Sequence, residues 1–241
     1  MNMLWRFLQP ALPILSCALL VGCAATPGLP GRAPVPSEWP AFSPPAPGET
    51  VFRVDSEASK VLIRVDPEGP MARLGHSHVI GGPVISGIVV TDGDRADARL
   101  DLKIDAAALE VDRPEWRRAQ GLEPELDAEA IRGTRDNMRS ERVLDADRHP
   151  EIGLRSVAIT GPDWMPLVTV RIRLRGQVRE VSVPVAVIRT ARRIEAIGHL
   201  ELFQSDFGIQ PYSAAGGALR VSDRMRIRFR IVALNEWRSP G

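Results

Sequence analysis

The chain has 241 residues, 44% of them hydrophobic and only 5% aromatic, with 31 basic against 30 acidic side chains. That length holds one sizeable domain or two small ones, and the cancelling charge gives no global pull toward nucleic acid or an anionic membrane surface. Both cysteines, Cys17 and Cys23, fall in the first 23 residues, so a domain beyond them must be held by core burial rather than by disulfides.

Arg6 precedes an apolar run that ends in Leu20-Val21-Gly22-Cys23. One positive charge, a short apolar core and small closing residues describe a secretory signal rather than a spanning helix. The last four residues resemble the lipobox of bacterial lipoproteins. That resemblance implies cleavage before Cys23 and lipidation of Cys23, with residues 1–22 removed. Ala24 follows, with no aspartate to signal retention in an inner membrane, so the expected location is periplasm-facing, anchored to the outer membrane. Residues 23–49 are rich in proline, which forbids sheet ladders and favours extended chain. They read as a tether, spanning about 65 Å over residues 27–47 if fully extended at about 3.1 Å per residue.

The folded domain is expected over residues 50–235, with a short tail at 236–241. Strands are predicted at 51–55 and 60–66, where Val61, Ile63 and Val65 share one face, and again at 83–91. Residues 97–105 alternate Ala98, Leu100, Leu102 and Ile104 with charged side chains, the period of a half-buried strand. Asp112-Arg113-Pro114-Glu115 reads as a helix start, with Asp112 as the cap, and Asp127 is expected to cap a second helix reaching Arg139. Strand returns at 151–160.

Residues 167–203 are the centre of the chain. Val168, Val170, Ile172 and Leu174 alternate with Thr169, Arg171, Arg173 and Arg175. Gly176 breaks the run, which resumes through Val181, Val183, Val185 and Val187, and a third run follows through Ile194, Ala196, Leu200 and Leu202. Short breaks between alternating runs predict an antiparallel meander, dry on one face and wet on the other. A last strand, 223–233, sets Met225, Ile227, Phe229 and Ile231 against four arginines. About eight strands and a short helical insertion make the chain mainly β. A two-sheet sandwich or a closed barrel would hide the edges. Slim aliphatic inner faces favour a barrel with a cavity.

Catalytic patterns are sparse. No nucleophile elbow or phosphate loop occurs, and no cysteine nucleophile would survive processing; the expectation is a protein that is not an enzyme and carries no cofactor. Asp206-Phe207-Gly208 matches a kinase tripeptide by letters alone, and Gly216-Gly217 suits a flexible turn. His76-Ser77-His78 is the one metal-like pattern, since residues two apart on a strand share a face and could hold one zinc. A third ligand would come from His149, His199 or a carboxylate. The alternative for His76 and His78 is a polar loop at a barrel rim.

Several stretches, in order, resemble the YceI-like family. They are Val51-Phe52-Arg53-Val54-Asp55 running on to Ile63, Arg135-Asp136-Asn137-Met138-Arg139-Ser140 followed by Asp145 and His149-Pro150-Glu151-Ile152, the hairpin around Arg175-Gly176-Gln177, and Gln204-Ser205-Asp206-Phe207-Gly208-Ile209. Residues 110–125 are longer than is usual in that family. The resemblance implies a lipocalin-like, eight-stranded antiparallel barrel that binds a long apolar molecule of isoprenoid or fatty-acid type. Together with the aliphatic inner faces, it makes Leu100, Leu102, Ile104, Val170, Ile172, Val183, Val185, Leu200, Leu202, Ile227 and Phe229 the candidate ligand-binding residues. A partner-binding envelope module is a further reading, suggested by the tether.

Overall fold

The structure is a computed structural model, and it describes residues 38–92 and 98–235. The signal, Cys23, most of the tether and the tail lie outside these residues. The first half of the domain comprises β1 (Thr50–Val54), β2 (Lys60–Val65), β3 (Pro67–Glu68), β4 (His78–Gly82), β5 (Ile85–Thr91), β6 (Arg99–Asp105) and β7 (Glu110–Val111). Two helices follow, α1 (Pro114–Ala119) and α2 (Ala128–Arg139). The second half holds β8 (Glu151–Thr160), β9 (Leu167–Leu174), β10 (Gln177–Arg189) and β11 (Arg193–Phe203). After these come β12 (Ser213–Ala214), β13 (Leu219–Val221) and β14 (Arg224–Leu234).

Eight strands close a ring in the order β1, β5, β6, β8, β9, β10, β11, β14, with β14 returning to β1 at Val54↔Ala233. All ring pairings are antiparallel, and closure removes the free edges that an open sheet would present. The expected meander is β9, β10 and β11. β1 and β2 both pair with the same side of β14. The break between them is stitched to Val232, whose carbonyl accepts from Asp55 N–H at 2.9 Å and whose N–H donates to Ser59 Oγ at 3.0 Å. β4 and β5 are likewise two pieces of one bent strand, so β2, β4 and β7 extend the barrel wall at one end. β3, β12 and β13 form a small separate sheet.

Among the described residues the ladder register shifts in β8. Ser156 pairs with Val170 and Ala158 with Thr169, leaving Val157 as the extra residue of a bulge. The inner face therefore passes from Ile152 and Leu154 to Ile159, a change of parity that residue pattern alone conceals.

Asp127 caps α2 as expected, its Oδ1 accepting from Glu129 N–H at 2.6 Å and Ala130 N–H at 3.4 Å. Asp112 does not cap α1. Arg113 holds the cap position, and Asp112 sits at φ +56°, buried, with its carboxylate turned under β4. Asp tolerates this left-handed backbone better than most residues do. Among the described residues no helix is long and apolar enough to cross a membrane.

The described part of the proline-rich segment does not stand off the barrel. Trp39 packs on Gly153, where a Cβ would lie 2.9 Å from the indole, and the Arg155 and Arg173 guanidinium groups stack on it at 5.0 and 4.6 Å. Arg99 donates to Ser43 O and Pro44 O and holds Glu49 through both oxygens at 2.6 and 2.7 Å. Arg99 keeps the Glu49 carboxyl at about 2. The expected tether thus ends in a strap bound to the outer wall of β6, β8 and β9.

Candidate functional site

Inside the barrel lies a cavity of about 1710 Å³, larger than the roughly 300–1,000 Å³ of ordinary small-molecule pockets. Its origin is the residue pattern: eight strands enclose a lumen, and Val, Ile and Leu are too slim to fill it. Residues paired across strands point to the same face, so the wall builds up as rows. Leu154 sits opposite Ile172 and Leu102, Val168 opposite Val183, and Leu200 opposite Ile227. Each candidate binding residue, Leu100, Leu102, Ile104, Val170, Ile172, Val183, Val185, Leu200, Leu202, Ile227 and Phe229, lies on this wall.

Gly198 and Phe229 shape the lumen together. They are paired on β11 and β14, and a Cβ at Gly198 would lie 2.5 Å from Phe229 Cζ. The ring therefore lies flat over bare backbone instead of projecting across the cavity.

The two ends differ. At one, Trp164, Arg189 and Arg192 line the cavity while exposed to solvent, with Trp164 65% exposed. At the other, α2 and the turn after it contribute Met138, Val143 and Leu144 beside Ile152 and Leu174. The alternation rule could not single out Trp164, Val143 or Leu144, because they lie outside the strands. Met138 lies on α2, where a strand period has no bearing.

The histidines part company. His76 also lines the cavity, but it precedes β4 and is exposed, so the pair does not share a strand as its spacing suggested. His78 opens β4 opposite Val65 and faces the cavity. Its Nδ1 lies 2.6 Å from Asp112 Oδ2. The other oxygen, Oδ1, accepts from Val79 N–H at 2.9 Å and from Arg117 Nη1 at 2.8 Å. Arg117 is itself buried and also donates to Ser77 O and Glu123 O, each at 2.6 Å. Burial pushes the Asp112 carboxyl up, but the bonds from His78 and Val79 N–H, the attraction to His78 and the bond from Arg117 outweigh it and hold it below the ordinary value. An ionised carboxylate is acceptor-only, so His78 Nδ1 carries the hydrogen of this bond.

Nearby, Asp66 accepts from Ser77 Oγ at 2.6 Å and Arg64 Nε at 2.8 Å. There too the hydrogen bonds and arginine charges override burial and lower the carboxyl. His149 packs against the β9–β10 hairpin at Gly176, and His199 is exposed opposite Arg228. Among the described residues no three His, Cys, Asp or Glu side chains gather as a metal site, which leaves His76 and His78 without the third ligand that zinc requires.

A family model described as the YceI-like domain matches residues 52–233. Among solved structures, that of Burkholderia cenocepacia BcnA is similar at a TM-score of 0.55 and 20% identity, covering 74% of this chain and 98% of that one. The Campylobacter jejuni YCEI protein is similar at a TM-score of 0.48 and 12% identity, covering 64% and 82%. No curated protein matches the chain. At 20% identity the likeness to BcnA speaks for the fold alone.

Proposed function

This chain belongs to the YceI-like family, and from that premise we propose that its barrel is a non-enzymatic binding module for one long apolar molecule of isoprenoid or fatty-acid type. The observation that carries the reading is the cavity of about 1710 Å³ walled by apolar side chains from every strand of the ring. An apolar chain entering it leaves water at about 0.8 kcal/mol per methylene. Sixteen buried carbons then give a gross gain of about 13 kcal/mol, against an association cost of about 4–15 kcal/mol. Tight binding therefore requires a long chain.

The same proposal includes the anchor. Cys23 carries lipid after removal of residues 1–22, the domain faces the periplasm, and the outer membrane holds it. Several acyl chains on one cysteine suffice for stable attachment.

Organic-solvent extraction of the purified full chain, followed by mass spectrometry, should release a stoichiometric long-chain lipid. A protein that yields none, and that takes up no prenol or fatty acid after delipidation, overturns the binding reading. A Cys23→Ser variant should lose acyl labelling and leave the membrane fraction. Retention there with the signal removed would overturn the anchor.

A further inference from the structure

We propose that His78, oriented by Asp112 and Arg117, is the head-group site of the cavity, where its Nε2 accepts a hydrogen bond from a hydroxyl at the end of the apolar chain. This rests on the reading of the cavity as an apolar-ligand site.

Three observations meet at this ring. Its position is the first: His78 lies on the inner face in register with Val65, next to Ile63 and Ile80, all of which line the cavity. A polar ring atom in such an apolar wall is costly unless something meets it.

The second is its incomplete bonding. Nδ1 is taken by Asp112, and the ring makes no other hydrogen bond among the described residues. Nε2 is thus left for a guest.

The third is how firmly the ring is held. The Asp112 side chain is fully buried and that of Arg117 is 4% exposed. Oδ1 of Asp112 is saturated by Val79 N–H and Arg117, so only Oδ2 faces the imidazole. The Arg117 charge offsets that of the carboxylate, and Arg117 is pinned in turn by two backbone carbonyls. As the neutral imidazole with its hydrogen on Nδ1, the ring is an acceptor at Nε2. It selects a hydroxyl over an ether or a hydrocarbon, because only the hydroxyl can donate.

Asp112 is a positioning residue with a distinctive consequence. In an Asp112→Asn variant, the amide oxygen keeps the bonds from Val79 N–H and Arg117, and the amide nitrogen faces His78. The amide donates to Nδ1, the hydrogen moves to Nε2, and the site becomes a donor. Its preference for a hydroxyl should vanish, because hydroxyl and ether oxygens both accept.

The test uses delipidated full chain titrated with geranylgeraniol and with its methyl ether, which match in chain but differ in the donor. Wild type should bind the alcohol about 5–10-fold more tightly than the ether, the scale of one buried hydrogen bond. His78→Phe should bring the ratio to about one with the ether affinity unchanged, which also shows that the variant is folded. Asp112→Asn should also bring the ratio to about one, with both probes still bound. Equal binding of the two probes by wild type, or a ratio that survives both substitutions, overturns the head-group site and leaves the cavity reading standing. If neither probe binds wild type, the cavity reading fails and this site fails with it. Should His78→Phe not fold, the loss of preference in Asp112→Asn decides alone.

Discussion

Replacing Arg117 by Met tests whether the buried ionic assembly is as coupled as its geometry implies. The substitution keeps an unbranched apolar stem but removes the partner of a fully buried carboxylate, together with bonds to Ser77 O and Glu123 O. Breaking one side of a buried pair costs about 3–5 kcal/mol, because the remaining charge stays buried without compensation. Val79 N–H and His78 still bond Asp112, which places the expected loss near the lower end, about 3 kcal/mol. With a urea dependence of about 2 kcal/mol per M, the unfolding midpoint should fall by about 1.5 M at unchanged slope. Adding Asp112→Asn to this variant removes the stranded charge and should recover part of the loss. Arg135→Met, on the half-exposed side of α2, is the control and should stay within about 0.5 kcal/mol of wild type. An Arg117→Met loss no larger than that of the control, or a double variant no more stable than the single, would refute the coupling and the rigid mounting of His78.

Gly198→Val should force the Phe229 ring off the wall and into the lumen, since even a Cβ approaches Cζ at 2.5 Å. Overpacking costs about 1–3 kcal/mol, and the longest prenol accepted should shorten; an unchanged chain-length profile would refute this shaping role. Trp39→Ala should release the strap, removing two arginine–indole contacts of about 0.5–1 kcal/mol each. Faster amide exchange or proteolysis confined to residues 38–49 is the expected readout, and uniform protection would contradict it. For Asp112 the folded pKa is depressed, so its contribution to stability is complete above the ordinary carboxylate value of about 4 and declines as pH falls below it. Asp112→Asn should therefore flatten the acid limb of the stability profile, and an unaltered acid limb would show that other groups govern it.

The sequence by itself determined the inner face of the strands and the fold class. Alternation is a property of the pleat, set by the chain within a few residues, so Leu100, Val170, Leu200 and Ile227 could be assigned to one face before any partner strand was known. It failed where a local irregularity changed parity, at the β8 bulge around Val157, and where the wall is built from loops and α2, as at Trp164 and Leu144. Asp112 was misread because its position before Pro114 satisfies a capping pattern, and only β4, 33 residues away, supplies the N–H that competes for it. Barrel closure through Val54 and Ala233, the docking of Trp39 on Gly153, and the meeting of His78, Asp112 and Arg117 all join segments distant in sequence. Such contacts depend on how strands are sheared and tilted around the ring, which periodicity does not encode. Tertiary structure therefore decided the volume of the cavity and the buried carboxylate that orients His78 in its wall.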